Sequence, residues 1–215
     1  MPYYERNLPH WQEPGAEYFV TFRLAGTLPK ELILELQNQR KAISSKFGAD
    51  RKIPRVTHRL EAVFFKKYES LLDGSSYGPD WLKEEKIASI VKEAIHYRDQ
   101  KEYDLYAFCI MSNHVHMVFK DLASPKSSIV KDHFPVTEML KNLKSYTGLQ
   151  ANRELDRKGS FWHEESYDHM IRNDESLERI ISYTINNPVK VNLVKTWREW
   201  PHTYCKPEFA KGFDE

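Results

Sequence analysis

The sequence predicts an α+β fold with an antiparallel sheet of the ferredoxin-like (RRM-like) type, with helices on one face and a helical insertion. Three observations predict it. The elements follow the order strand, helices, two strands, helix, strand and helix. The strand segments are rich in aromatic and β-branched residues, as in YFVTFRL at residues 18–24. The segments between them carry apolar residues at helical spacing in a charged background.

Each element has its own signal in the sequence. The predicted strands are residues 18–24, 103–108, 115–119 and 160–171. The predicted helices are residues 29–47, 60–72, 83–97, 136–155 and 175–187. The predicted loops and turns are residues 48–58, 73–80 and 125–134. Asp174 is the expected N-cap of the last helix, and Pro188 limits its end. We expect one domain over residues 1–215, with a mainly helical insertion at about residues 30–100.

The composition describes a packed protein and leaves the partner open. Hydrophobic residues make up 40% of the 215 residues and aromatic residues 13%. Lys and Arg number 32 against 31 Asp and Glu, so a nucleic-acid-binding surface has to be a local basic patch. Cys109 and Cys205 have no metal-binding spacing, which favours a reduced, cytoplasmic location. No apolar run approaches the roughly 18 residues of a membrane helix, so no membrane is expected.

Two histidines flank one valine in the segment MSNHVHMVFK, residues 111–120. Successive side chains along a strand alternate between faces, so His114 and His116 share one face and Val115 lies on the other. Two imidazoles on one face can hold a metal ion. The same spacing also suits two ordinary polar residues at a strand end, and spacing alone leaves both interpretations open.

The last predicted helix carries Arg179, Tyr183 and Asn187 at intervals of four residues, one above another on the same face. An amphipathic helix with a half-buried tyrosine accounts for this pattern. A nucleophilic tyrosine one turn from an amide oxygen that completes a metal site also accounts for it. The spacing alone favours the amphipathic helix.

Six segments, in order through almost the whole chain, carry a family resemblance. They are YFVTFRLAGTLP (18–29), YAFCIMSNHVH (106–116), LKSYTGLQAN (143–152), GSFWHEESYDHMIRND (159–174), YTINNPVKVNLV (183–194) and EWPHTY (199–204). On these segments the chain resembles the REP-associated tyrosine transposases, of the single-tyrosine HUH (IS200-like) transposase family. Two features depart from the pattern. Ser112 stands where proline is usual, and the insertion at about residues 30–100 is longer than in compact relatives.

The resemblance implies a metal-dependent single-strand DNA endonuclease and strand transferase acting on hairpin, REP-like DNA. It implies tyrosine transesterification through a 5′-phosphotyrosine intermediate. His114 and His116 resemble the histidine pair that holds Mg²⁺ or Mn²⁺, and Asn187 resembles the third ligand. Tyr183 resembles the catalytic tyrosine. Tyr167 is the second candidate; Tyr183 is preferred because it lies on a predicted helix with a ligand-capable residue four positions later.

Single-stranded or hairpin DNA is the expected partner. Residues 139–159 carry five basic and two acidic residues, a stripe that can follow phosphates, with Tyr146 or Trp162 as a stacking face. A solvated helix face explains the same stripe. The candidate DNA-binding residues are Lys141, Lys144, Arg153, Arg157, Lys158, Arg172 and Lys190. A homodimer in which Tyr183 serves the histidines of a second subunit is compatible with the sequence.

The alternative class is a non-catalytic, RRM-like nucleic-acid-binding protein. In that case Phe161 and Trp162 stack on bases, and the two histidines are ordinary polar residues. Such a protein needs no metal ion, whereas a nuclease of the kind described above stops when its ion is removed.

Overall fold

A computed structural model describes the chain at residues 3–5, 9–29, 31–35, 38–39, 42, 67–74, 77–122 and 134–213. The chain forms two compact units, one of residues 1–25 with 80–215 and the other of residues 26–79. The predicted loop at 48–58, nearly all of the predicted loop at 125–134 and most of the predicted helix at 29–47 lie outside the described residues.

Five strands of the first unit form one antiparallel sheet. The strands of the described chain are β1 (Tyr3–Glu5), β2 (Pro9–Trp11), β3 (Glu17–Arg23), β4 (Tyr103–Ile110), β5 (His114–Asp121), β6 (Tyr167–Ile171) and β7 (Thr203–Cys205). The sheet has the order β6-β3-β5-β4-β7, and β1 pairs with β2 separately. The predicted α+β class with an antiparallel sheet is confirmed. β7 was not predicted, because three residues are too few to reveal a strand's alternation.

The helices of the first unit lie between and after these strands. The α-helices are α1 (Glu85–Arg98), α2 (Pro135–Glu154), α3 (Asp174–Ile185), α4 (Asn187–Lys190) and α5 (Pro207–Ala210). Short 3₁₀ helices cover Trp81–Lys83, Trp197–Glu199 and Lys211–Phe213. Among the residues described, no helix combines the length and apolar character that crossing a bilayer requires.

The second unit, residues 26–79, falls largely within the predicted insertion, whereas α1 belongs to the first unit. Residues 31–35 are helical within the predicted helix 29–47, and residues 67–73 are helical and extend the predicted helix 60–72 by one residue. In the predicted turn at residues 73–80, the backbone at Gly78 lies very close to the backbone at Gly26. Gly78 has φ +82°, and a Cβ there would lie 2.2 Å from the carbonyl oxygen of Gly26, so this position requires glycine.

One face of the five-stranded sheet packs against α1 and α2 and forms the core. The strand residues on this face are Tyr18, Val20, Phe22, Leu24, Phe108, Ile110, Val115, Met117 and Phe119. The helix residues that meet them are Ile87, Val91, Ile95, Val136, Leu140 and Leu143. Alternation along β3 and β5 therefore assigns one set of side chains to the core and leaves the other set on the opposite face.

The opposite face of the sheet carries the two histidines and packs against α3. α3 contacts β4 and β5, and its Tyr183 ring lies edge-on to Phe19 of β3, with ring centres 6.1 Å apart. Phe19 belongs to the set that points away from the core, as do His114 and His116. The prediction of helices on one face therefore holds for α1 and α2, while α3 covers the other face.

The predicted strand at residues 160–171 is shorter in the structure and begins at Tyr167. Before that point only a single bridge joins Trp162 to Leu24. The Trp162 ring packs edge-on against Phe22 with ring centres 4.8 Å apart, and its Nε1 donates to Thr147 Oγ1 at 2.9 Å. These aromatic residues fill the space under α2 and do not continue the sheet, so their apolar character reflects burial in the core and not a strand.

Asn173, and not Asp174 as predicted, caps α3. Asn173 has an extended backbone, and its Oδ1 accepts a hydrogen bond from Ser176 N at 2.8 Å. We expect Asn173→Ala to lower the free energy of unfolding by about 1 kcal/mol, because it leaves a helix N–H without its partner. Urea unfolding would measure the loss. Asp174→Ala keeps the capping bond and serves as the control; an equal or larger loss in that variant would contradict the assignment.

Candidate active site

The two histidines of β5 lie side by side with their Nε2 atoms 3.0 Å apart. Both side chains are fully buried, and Val115 between them lies in the core, as the alternation predicted. The Nδ1 atom of His114 is 2.6 Å from Asn113 Oδ1, and that of His116 is 2.9 Å from Thr21 Oγ1. Each ring is therefore held at its Nδ1 side, with its Nε2 atom directed at the neighbouring ring.

Burial keeps both imidazoles neutral. It lowers the pKa of His114 to about 3, with the charge of Lys190 as a smaller cause. Burial also holds the pKa of His116 well below its ordinary value, followed by the effects of His114 and Lys190. The neutral imidazole is the form that binds a metal ion, so the pair is ready to act as ligands at neutral pH.

We expect the metal-free protein to lose stability as the pH falls from about 6.5 toward 4. In this window the unfolded chain binds protons at His114 and His116 that the folded chain does not. The free energy of unfolding then falls by up to about 1.4 kcal/mol per pH unit for each histidine. Above about pH 7 both states are unprotonated, and this contribution no longer changes with pH.

Urea unfolding in the presence of a chelator, repeated between pH 7 and pH 4, would measure this dependence. The double variant His114→Asn/His116→Asn removes both titrating rings and should show a shallower decline. Identical declines in the two proteins would show that other groups cause the acid sensitivity.

Asn187 and Tyr183 reach the histidine pair from two successive helices. The predicted helix over residues 175–187 is broken, because α3 ends at Ile185 and Pro188 lies in the first turn of α4. Asn187 Nδ2 is 3.2 Å from His116 Nε2, and it donates to Tyr183 Oη at 3.5 Å. The half-buried Tyr183 ring lies 5.7 Å from the His116 ring. The structure thus brings the four predicted site residues together.

The atoms at this site fit a divalent metal ion. Asn187 Oδ1 is buried and accepts no hydrogen bond from the residues described, an arrangement that is rare in proteins. The oxygen and nitrogen of an amide exchange places by a half-turn of the side chain, which would direct the oxygen toward the two Nε2 atoms. Two imidazole nitrogens and an amide oxygen are suitable ligands for a divalent ion.

Tyr167, the second candidate nucleophile, lies on the same face of the sheet. It pairs with Thr21 across β3 and β6, and its ring centre is 6.4 Å from that of Phe19. It is 8% exposed, whereas Tyr183 is half-buried with its hydroxyl beside the Asn187 amide. Because the Tyr183 hydroxyl contacts Asn187, a candidate metal ligand, Tyr183 is the better candidate for the nucleophile.

The basic residues predicted to bind DNA are not gathered at this site. Five of them lie on α2 or just after it, and α2 covers the opposite face of the sheet: Lys141, Lys144, Arg153, Arg157 and Lys158. Arg172 is exposed just after β6. Lys190 alone among the seven has its ammonium near Tyr183, 5.4 Å from the ring centre.

A groove of about 560 Å³ is lined by α2 and by residues 159–168. Lys144 lines it, donating to Glu164 O at 2.8 Å and to Ser166 Oγ at 3.1 Å, and burial lowers its pKa to about 8. Arg157 stacks on the Trp81 ring at 3.9 Å. Lys144 and Arg157 are therefore engaged by protein groups, unlike the exposed Lys141.

The binding-protein alternative requires Phe161 and Trp162 to stack on bases, but neither ring is exposed enough to do so. Phe161 and Trp162 are 3% and 6% exposed and belong to the core. Tyr146 on α2, by contrast, is 50% exposed and can offer a ring face. No feature of the described sheet favours a platform of stacked bases over the histidine–tyrosine site.

Two residues that contact the histidine pair, Thr21 and Asn113, were not predicted from the sequence. Thr21 lies on β3, far from the histidines in sequence, and only the register of β3 with β5 places it opposite His116. Asn113 had a visible signal, because it directly precedes His114 at the start of the strand.

Comparison with known proteins agrees with the fold and with the family resemblance. The family model described as "Transposase IS200 like" matches residues 76–187, just over half of the chain and including both histidines, Tyr183 and Asn187. A Haemophilus influenzae protein described as a REP-associated tyrosine transposase is 25% identical over 102 residues, 47% of this chain and 58% of that relative. This chain therefore spans less than two thirds of the relative's length.

A solved structure of a REP-associated tyrosine transposase bound to a REP hairpin has the same fold. It aligns with 100% of this chain and 89% of its own, with a TM-score of 0.52 and 17% identity. The family resemblance carried by the sequence motifs is thereby confirmed. The chain belongs to the family of IS200-like transposases.

Proposed function

We propose that this protein is a metal-dependent single-strand DNA endonuclease and strand transferase that acts on hairpin DNA through a tyrosine nucleophile. The observation that carries the proposal is the convergence of Tyr183 Oη, the Asn187 amide and the two histidine Nε2 atoms. A hydroxyl nucleophile beside a metal-ligand set is the arrangement that phosphoryl transfer to a tyrosine needs. The hairpin bound by the structural relative supports hairpin DNA as the substrate.

Tyr183 would attack the scissile phosphorus, so that a bond from Oη to phosphorus forms and the bond to the 3′ oxygen breaks. The products are a 5′-phosphotyrosine and a free 3′-OH. An ordinary tyrosine has a pKa of about 10, so on the order of one in 10³ is ionised at neutral pH. The ammonium of Lys190, near the Tyr183 ring, favours negative charge on the hydroxyl oxygen. A 3′-OH can later attack the phosphotyrosine and join strands without ATP.

His114, His116 and Asn187 would hold the ion, which we expect to be Mg²⁺ or Mn²⁺. When bound, the ion supplies a Lewis acid for the charge that develops on the scissile phosphate. Two neutral rings and one amide would leave the ion able to bind phosphate oxygens as further ligands.

A covalent-adduct assay tests the proposal. End-labelled hairpins with single-stranded flanks, taken from the sequence around the gene, would be incubated with the protein and Mn²⁺ or with EDTA, then separated on a denaturing gel. We expect a protein–DNA adduct with Mn²⁺, and none once the protein has been incubated with EDTA for long enough to lose its ion. Hairpin binding without an adduct under either condition would support the binding-protein alternative.

We expect Lys190→Glu to slow adduct formation by on the order of 10-fold or more, because it replaces a stabilising positive charge beside the nucleophile with a negative one. Lys141→Glu makes the same charge change on α2, on the opposite face of the sheet. That variant should mainly weaken hairpin binding and flatten its salt dependence. Single-turnover rates at saturating protein separate the two effects. Equal slowing at saturation in both variants would contradict the role given to Lys190.

A further inference from the structure

Two side chains outside the ligand set hold the outer nitrogens of the histidine pair. Asn113 Oδ1 lies 2.6 Å from His114 Nδ1, and Thr21 Oγ1 lies 2.9 Å from His116 Nδ1. Thr21 is completely buried and Asn113 is 4% exposed, so water does not compete for these bonds. Asn113 directly precedes β5, and Thr21 comes from β3, where the strand register places it opposite His116.

The hydrogen bonds determine where each ring carries its proton. An amide oxygen can only accept, so His114 donates from Nδ1, and its Nε2 is the nitrogen that can act as a metal ligand. In the metal-free protein, Asn187 Nδ2 can only donate to His116 Nε2, so this nitrogen is the acceptor of the ring. The proton of His116 is then on Nδ1 and is accepted by the Thr21 hydroxyl.

With both protons on Nδ1, one cation can be bound by both Nε2 atoms, which lie 3.0 Å apart. A threonine hydroxyl, unlike a valine methyl, can hold the His116 ring in this state. The stiff χ1 of a β-branched residue in a strand limits the positions that the hydroxyl can take.

We propose that Thr21 and Asn113 are positioning residues, which fix the tautomer and ring orientation of His116 and His114 so that both Nε2 atoms face one metal ion. This inference rests on the proposed function, because the ion is part of that proposal. Outer partners of metal-bound histidines typically change metal affinity by about 10–100-fold when they are removed. The same range is expected for the loss of the Thr21 hydroxyl.

The test measures Mn²⁺ binding to the full chain without DNA, by isothermal titration calorimetry. Thr21→Val should weaken binding by about 10–100-fold, and Thr21→Ser, which keeps the hydroxyl, should restore it to within a few-fold of wild type. Thr184→Val is the matched control. Thr184 is also completely buried, but its hydroxyl has no hydrogen-bond partner among the residues described, so Mn²⁺ affinity should not change.

Asn113 provides an independent second comparison. Asn113→Asp keeps an acceptor oxygen and should retain Mn²⁺ binding, whereas Asn113→Ala should weaken it. Long-range ¹H–¹⁵N spectra of the metal-free protein report the tautomer of each ring directly. We expect the Nδ1–H form of His116 in wild type and Thr21→Ser, and a loss of that preference in Thr21→Val.

The outcomes separate this inference from the proposed function. Wild-type affinity in Thr21→Val, or equal weakening in Thr21→Ser, would overturn the positioning role while leaving the metal site intact. Absence of Mn²⁺ binding in wild type would overturn both the metal site and the inference. Weak binding in Thr21→Val with rescue in Thr21→Ser would support the inference, whatever DNA the protein cleaves.

Discussion

Tyr183→Phe is expected to abolish the covalent protein–DNA adduct and to reduce strand cleavage by on the order of 10³-fold or more, because it removes the nucleophilic oxygen. The ring stays in place, so its edge-on contacts with Phe19 and His116 are retained. Hairpin binding and thermal stability should therefore change little. The measurement is the fraction of labelled hairpin that becomes protein-linked over time with Mn²⁺.

Tyr167→Phe is the matched control, because Tyr167 also packs against Phe19, with ring centres 6.4 Å apart compared with 6.1 Å for Tyr183. Both variants remove one hydroxyl from a tyrosine on the same face of the sheet. We expect Tyr167→Phe to form the adduct at close to the wild-type rate. The reverse pattern, with the adduct lost in Tyr167→Phe and kept in Tyr183→Phe, would assign the nucleophile to β6.

His116→Ala is expected to remove Mn²⁺ binding and strand cleavage together. The variant loses one of the two facing Nε2 atoms and also the neighbour of the Asn187 amide. The decrease in Mn²⁺ affinity should exceed the roughly 10–100-fold that loss of an outer hydrogen-bond partner causes. Calorimetry with Mn²⁺ alone measures the affinity, and gel shift in EDTA measures hairpin binding, which we expect the variant to keep.

His96→Ala provides the control for loss of an imidazole. His96 is on α1, on the other side of the sheet, where its ring packs edge-on against Phe108 and Tyr204. Its removal should reduce stability while leaving Mn²⁺ affinity and cleavage unchanged. A similar loss of Mn²⁺ affinity in both variants would indicate that instability, and not the missing ligand, causes the effect.

Local periodicity was sufficient to predict which side chains of the candidate site lie together, whereas the family resemblance supplied the roles predicted for them. Alternation along one strand places His114 and His116 on the same face whatever the rest of the chain does. The four-residue interval from Tyr183 to Asn187 predicted their proximity, and they do meet, although the helix breaks between them. Pro188 explains the break, because it lacks an N–H and favours the first turn of a new helix.

Features that depend on pairing between distant segments could not be predicted in the same way. The register of β3 against β5 decides that Thr21, and not a neighbouring residue, lies opposite His116. The burial of Phe161 and Trp162 depends on how α2 covers the sheet. A basic stripe in the sequence likewise carries no information about which face it occupies, and in the structure α2 places it opposite the histidines.

The complete burial of the histidine pair has a consequence for kinetics. An ion in solution cannot reach nitrogen atoms with no exposed surface unless the fold opens locally, so loading should be limited by the frequency of opening and not by diffusion. Release should be slow for the same reason. A chelator captures only ions that have already left, so the protein should keep its activity for some time after EDTA is added and lose it gradually.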